Sequence, residues 1–289
     1  MENIRNIRKI SLWLIVLALF STLYLGCVNS IDYPLPESPP QVVVNALLSP
    51  ELPITVQVSL SATALALDIP TVADAEVGLY VADTLYARLL HVGNGQYQPA
   101  DTLYPAPGLA YQVRVSVPEV GTVQSSYESL PPEPAFEALE LSAFHYTPTR
   151  HRLALTLPTS AGMPQYYQME LYATDGERIG AGLDPKSSHP PNCCHDYYYE
   201  LFTHPATTNE PWQIAWRVST RQLGPSDTVV VQLSRLSAAY FQHLLDPSYG
   251  TSEIDVIFST PDEPFSNIEG GYGILATRQV ATFRLPVSP

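Results

Sequence analysis

Cysteine is nearly missing: the 289-residue chain has three, and one of them, Cys27, sits directly behind an apolar stretch. The other two, Cys193 and Cys194, cannot staple a small scaffold, so the fold must hold by burying apolar surface. Positive charge is also scarce. Residues 27–289 carry 11 basic and 27 acidic side chains, a net charge of −16. That balance excludes nucleic acid as a partner, because binding it needs a basic face that displaces counterions from phosphates. It also argues against docking on an anionic membrane surface. The acidic residues are spread, 10 against 2 basic over residues 27–132 and 17 against 9 over residues 133–289. No run among them would trap a ligand, and the charge reads as a device for solubility.

The signatures of chemistry are missing as well. There is no Gly-x-Ser-x-Gly elbow for a nucleophile, and Gly270-Gly271-Tyr272-Gly273 lacks the lysine and helix of a phosphate loop, so it reads as a turn or bulge. No carboxylate pair is singled out for acid–base work. The expectation is a protein without catalytic residues and without a cofactor. Helical periodicity is nearly absent, which leaves strands as the building material.

What is present begins at the N-terminus. Arg5, Arg8 and Lys9 precede an uncharged run from Ile10 to Leu25, and Gly26-Cys27 follows. A basic head, a short apolar stretch and a small residue at the cut form a secretory signal over residues 1–26, too short for a comfortable membrane span. A cysteine directly after the small residue is the site where a lipoprotein signal is cut and the new N-terminus is acylated. Cys27 is therefore the expected lipidation site, with an uncleaved signal anchor as the alternative. Residues 28–40, VNSIDYPLPESPP, hold four prolines and no apolar periodicity. Such a stretch stays extended and would act as a tether from the lipid, at about 3 Å per residue.

Beyond the tether the period becomes two. Ile54, Val56, Val58 and Leu60 alternate with Thr55, Gln57 and Ser59, one face dry and the other wet. Gln41–Leu48 is short, apolar and β-branched, and Ala75–Tyr80, Ala87–Val92 and Tyr111–Val117 repeat the alternation, the last turning Tyr111, Val113, Val115 and Val117 inward. Gly93-Asn94-Gly95 and Pro107-Gly108 supply reversals. Leu130-Pro131-Pro132-Glu133-Pro134 reads as a boundary between a domain at 41–130 and another at 135–289, since prolines cannot sit in a central strand. The second stretch offers strands at Arg152–Leu157, Tyr166–Tyr172, Trp212–Ser219, Thr228–Leu236, Glu253–Phe258 and Gln279–Leu285. Ser237–Leu245 is the one good helix, starting on Ser237 and stopped by Asp246-Pro247. The fold class expected is all-β: an N-terminal sandwich of immunoglobulin or transthyretin type, then a larger β-rich domain with one short helix.

One segment collects reactive side chains: His189, Cys193, Cys194, His195 and Asp196, with His204 further on. These are ligand types for zinc or copper, yet neither a Cys-x-x-Cys pair nor a His-x-x-x-His helix is present. The alternatives are a vicinal disulfide in a loop that rigidifies a binding surface, or two thiols lost in a core. Tyr197-Tyr198-Tyr199 follows directly. In a strand Tyr197 and Tyr199 share a face, where rings could stack on a sugar or peptide or simply be half buried; Tyr166-Tyr167 reads the same way.

The order of pieces resembles a family of Bacteroidetes outer-membrane lipoproteins, domain of unknown function 4249. The resemblance rests on Val42-Val43-Val44-Asn45-Ala46-Leu47, Val56-Gln57-Val58-Ser59-Leu60-Ser61, Ala75-Glu76-Val77, the Gly95-Gln96-Tyr97 turn and Pro107-Gly108-Leu109-Ala110-Tyr111. The closing Asn267-Ile268-Glu269-Gly270-Gly271-Tyr272-Gly273-Ile274 resembles the family's Asn-Ile and glycine cluster closely, and it is the ordered set, not any single motif, that carries the resemblance. Ala82-Asp83-Thr84-Leu85 departs from the Asp-Gly hairpin turn usual in the family. The resemblance implies a lipid-anchored outer-membrane protein, often encoded beside a TonB-dependent receptor, with no catalytic residues to carry over. The functional expectation is a non-catalytic accessory to such a receptor in nutrient capture; the alternatives are an adhesive or structural surface protein, or a metal carrier using residues 189–204.

Overall fold

The computed structural model describes residues 39–62, 68–144, 147–159, 162–184, 200–206, 208–219, 223, 227–246 and 264–287. Its first strands are β1 (Val42–Leu48), β2 (Val56–Leu60), β3 (Glu76–Val81), β4 (Thr84–Gly93), β5 (Gln96–Pro99), β6 (Ala110–Val117), β7 (Gly121–Ser125) and β8 (Glu128–Ser129). Then come β9 (Ala138–Phe144), β10 (Thr147–Leu157), β11 (Gln165–Tyr172), β12 (Ala181–Leu183), β13 (Leu201–His204), β14 (Trp212–Ser219) and β15 (Thr228–Leu236). A helix α1 (Ala238–Leu245), a short β16 (Ile268–Glu269) and a long β17 (Tyr272–Pro286) close the chain. The protein is all-β, and α1 is the one helix among the described residues. Within those residues no helix is long and apolar enough to cross a membrane.

The strands form two sheets. One runs β13-β11-β15-β17-β1-β2-β5-β4-β3-β6-β7-β16, with β8 added on β6; the other runs β12-β14-β10-β9. Residues 40–289 make one compact unit, and β17 explains why. Its first part lies parallel to β1, from Tyr272 opposite Val43 to Thr277 opposite Leu48. Its second part runs antiparallel to β15, from Arg278 opposite Leu236 to Pro286 opposite Thr228. The sequence predicts only Gln279–Leu285 here, because the glycines before it hide the start of a fifteen-residue strand. The N-terminal sandwich therefore comprises the strands of residues 41–130 together with β16 and the first part of β17.

Alternation drives burial as expected. Tyr111, Val113, Val115 and Val117 all point into the first core, as do Ile54, Val56 and Val58. Ser59 differs: expected on the wet face, it is buried, because Thr71 bridges to it from the following loop. The second core lies between the β13-β11-β15-β17 layer and the four-stranded sheet, filled by Leu153, Leu155, Tyr167, Met169, Phe202, Trp212, Trp216 and their neighbours. Helix α1 begins as its sequence predicts: the Ser237 hydroxyl accepts the Tyr240 N–H at 3.2 Å, satisfying one of the free donors of the first turn. Phe241 docks the helix, buried with Leu201 and Leu236 and stacked on Tyr166 at 4.7 Å.

Two glycine-dependent features hold the first sandwich closed. Gly270 and Gly271 form the turn between β16 and β17, and Gly273 has φ +106 with its Cα against β1: a Cβ there would meet the Val44 carbonyl oxygen at 2.1 Å. Only glycine fits so close a backbone approach. Asn267 extends this seam like an extra strand residue, its side chain exchanging two 2.9 Å hydrogen bonds with the backbone of Leu275. The closing Asn267–Ile274 motif is thus structural. The β3–β4 hairpin is a two-residue turn with positive φ at both Ala82 (+47) and Asp83 (+60), as a type I′ turn requires, although neither residue is glycine. Tyr127 holds it, accepting the Asp83 N–H at 3.0 Å and donating to the Asp83 carboxylate at 2.9 Å.

Candidate functional site

The sequence candidates fall mostly outside this description. Cys27, His189, Cys193, Cys194, His195, Asp196, Tyr197 and Tyr199 all lie outside the described residues. Of their neighbours, His204 is buried at the end of β13 with its ring 5.5 Å from that of Trp212. Tyr167 is buried and stacked on Phe202 at 5.3 Å, and burial pushes its phenol up. Tyr166 and Tyr167 are packing residues. Among the described residues no three His, Cys, Asp or Glu side chains gather as a metal site needs.

The surface that stands out is the outer face of the first sandwich, over β3, β4, β6 and β7. Strand alternation sends Val77 and Leu79 inward and leaves Glu76, Gly78 and Tyr80 outward. Register then fixes what surrounds them. Gly78 pairs with Arg88 of β4 on one side and with Arg114 of β6 on the other. These are the only two basic residues between 27 and 132, and the pairing sets them on either side of one glycine. A groove of about 440 Å³ runs along this face, lined among others by Asp74, Glu76, Tyr80, Leu85, Arg88, Leu90 and Arg114.

The two arginines differ in their surroundings. Arg114 has three partners: its guanidinium lies 4.3 Å from the centre of the Tyr80 ring, its Nε donates to Gln112 Oε1 at 2.7 Å, and it pairs with Asp83. The Tyr127 hydroxyl and then Arg114 hold the Asp83 carboxyl below the usual carboxylate range, and Asp83 pushes Arg114 up in turn. The Tyr80 ring lies across Gly78, where a Cβ would come within 2.8 Å of Cε2; glycine is what lets the ring lie flat under Arg114. Arg88 is exposed and makes no hydrogen bond or ion pair with any described residue, and the same holds for Glu76. Ser116 and Thr122, on the far wall, satisfy each other at 3.1 Å.

Chemically the groove offers the Arg88 guanidinium, the carboxylates of Glu76 and Asp74, a fixed cation–aromatic wall and exposed leucines, which is equipment for binding. Sequence reading misses it. The signal was the rarity of arginine in residues 27–132, but only strand register shows that the two meet at Gly78.

None of the curated proteins matches this chain. A family profile matches residues 28–284, and the chain belongs to the family described as Domain of unknown function (DUF4249).

Proposed function

We propose that the protein is a lipid-anchored binding protein of the outer membrane, fastened through Cys27 and the proline-rich residues 28–40, and that it serves a TonB-dependent receptor in nutrient capture. The observation that carries this reading is the groove over β3, whose free charges and exposed leucines suit recognition. The signal at residues 1–26 with Gly26-Cys27 supports the anchor, and the acidic body supports a protein kept clear of anionic surfaces.

Two measurements test it. Cys27→Ala is expected to release the protein from the membrane fraction, and a tagged wild-type chain is expected to bring down a barrel receptor from detergent-solubilised outer membrane. A wild-type chain that fractionates with soluble proteins, or one that never brings down a barrel, overturns the corresponding part of the reading.

A further inference from the structure

The ligand class can be narrowed from the charges of the groove. Arg114 and Asp83 neutralise each other, and Tyr80, Gln112 and Tyr127 hold them in place. What remains is Arg88 on one strand, Glu76 on the next and Asp74 just before it, all lining the same groove. Glu76 stands two residues before Gly78, the cross-strand partner of Arg88, so the two occupy diagonal positions on one face. Diagonal neighbours lie about 7–8 Å apart at Cα, within mutual reach of long side chains. Direct contact between exposed charges gains little, so a ligand group binding to either one displaces water and no protein partner.

This arrangement discriminates between ligand classes. A purely anionic ligand would meet Glu76 and Asp74 as well as Arg88, and a purely cationic one would meet Arg88. A ligand bearing both an ammonium and a carboxylate meets a partner for each. Leu85 and Leu90 flank Arg88 on the same face, 47% and 52% exposed, and offer an apolar strip beside the charges. The volume, about 440 Å³, falls in the range of small-molecule pockets.

We infer that the groove over β3 binds a small zwitterion of the amino-acid or short-peptide type, its carboxylate on Arg88, its ammonium at Glu76 and its side chain along Leu85 and Leu90. The inference deepens the reading of the protein as a capture protein and rests on it.

The test is calorimetric titration of the full chain in detergent with leucyl-leucine, N-acetyl-leucyl-leucine, leucyl-leucinamide and free leucine. Leucyl-leucine is expected to bind, and blocking either end is expected to weaken it about tenfold or more, the size of a lost charge-assisted hydrogen bond. Arg88→Gln should impose the same loss on leucyl-leucine while leaving leucyl-leucinamide unchanged, and Glu76→Gln should do so for the other end. Free leucine binding as tightly as the dipeptide assigns the site to amino acids; weaker binding assigns it to peptides. Equal affinity for blocked and unblocked dipeptides, no binding of leucyl-leucine, or wild-type affinity in both variants overturns the inference. No receptor is present in the titration, so it can fail while a barrel still co-purifies, and co-purification can fail while leucyl-leucine binds.

Discussion

The two halves of the molecule solve the same packing problem with different residues. Among the described residues the first core is built from ten valines with Tyr97 and Tyr111 as its only aromatics, and the second stacks Tyr167, Phe202 and Trp212 in its centre with Trp216 tilted against Phe202. Short β-branched side chains fill the interior of the first sandwich. Its two tyrosines keep their hydroxyls at the rim: Tyr97 donates to the Val72 carbonyl at 3.0 Å, and Tyr111 accepts the Ala106 N–H at 2.8 Å. Two separate facing sheets leave a gap of about 10 Å, which rings fill better. A saturated interior also pushes recognition outward, and the charged groove lies on the outer face of the valine sandwich. Both tryptophans of residues 27–289 sit in the second core, so their fluorescence reports on that half alone.

The sharpest way to break the comparison is to cut the strand the halves share. In Gly273→Ala, a methyl group would meet the Val44 backbone at 2.1 Å from a residue with φ +106. Neither side can yield without opening the β1–β17 ladder, so a loss of more than about 4 kcal/mol is expected in the first half. Far-UV circular dichroism should then show an early transition of the valine sandwich, with tryptophan fluorescence changing at a higher denaturant concentration. Coincident transitions in the variant would mean that β17 does not carry the coupling.

A pair of core truncations sharpens the comparison next. Phe202→Ala removes the ring that contacts Tyr167, Trp212 and Trp216 together, at 5.3, 5.9 and 5.5 Å, and should cost about 3–4 kcal/mol. Val58→Ala in the first core should cost about 2 kcal/mol, because each valine contributes little and many share the load. Equal losses in chemical denaturation would show that the two cores do not differ in how they concentrate stability.

The first core was largely legible in the sequence, since a period of two names its inward residues directly: Val56 and Val58, then Tyr111 to Val117. Helix α1 was legible from Ser237 and the stop at Asp246. The long β17 was not, because Gly270, Gly271 and Gly273 look like an interruption and prove to be the close approach that lets the strand start. The groove was hidden for a different reason. Arg88, Glu76 and Arg114 are far apart in sequence, and only register with Gly78 between them makes them neighbours. The cysteine and histidine segment attracted attention by composition, which speaks of ligand types but not of geometry.

The smallest expected effect concerns the polar end of the seam, where both halves meet α1. Glu128 of β8 lies under Asn267 and Ser237, and burial pushes its carboxyl above the usual range despite hydrogen bonds from Ser237, Asn267 and Ser126. A carboxyl raised on folding contributes stability that is complete below its unfolded value near 4.5 and is lost as pH rises through the folded value. At neutral pH the ionised group therefore weighs on the seam. Glu128→Gln keeps the shape and removes that charge, so the variant should match the wild type near pH 4 and exceed it by about 0.5 kcal/mol at pH 7, a figure kept small because solvent reaches the group. Urea melts of both proteins across this range measure the difference. A variant less stable at pH 7 than the wild type would mean that the ionised carboxylate is held by its hydrogen bonds more strongly than burial opposes it.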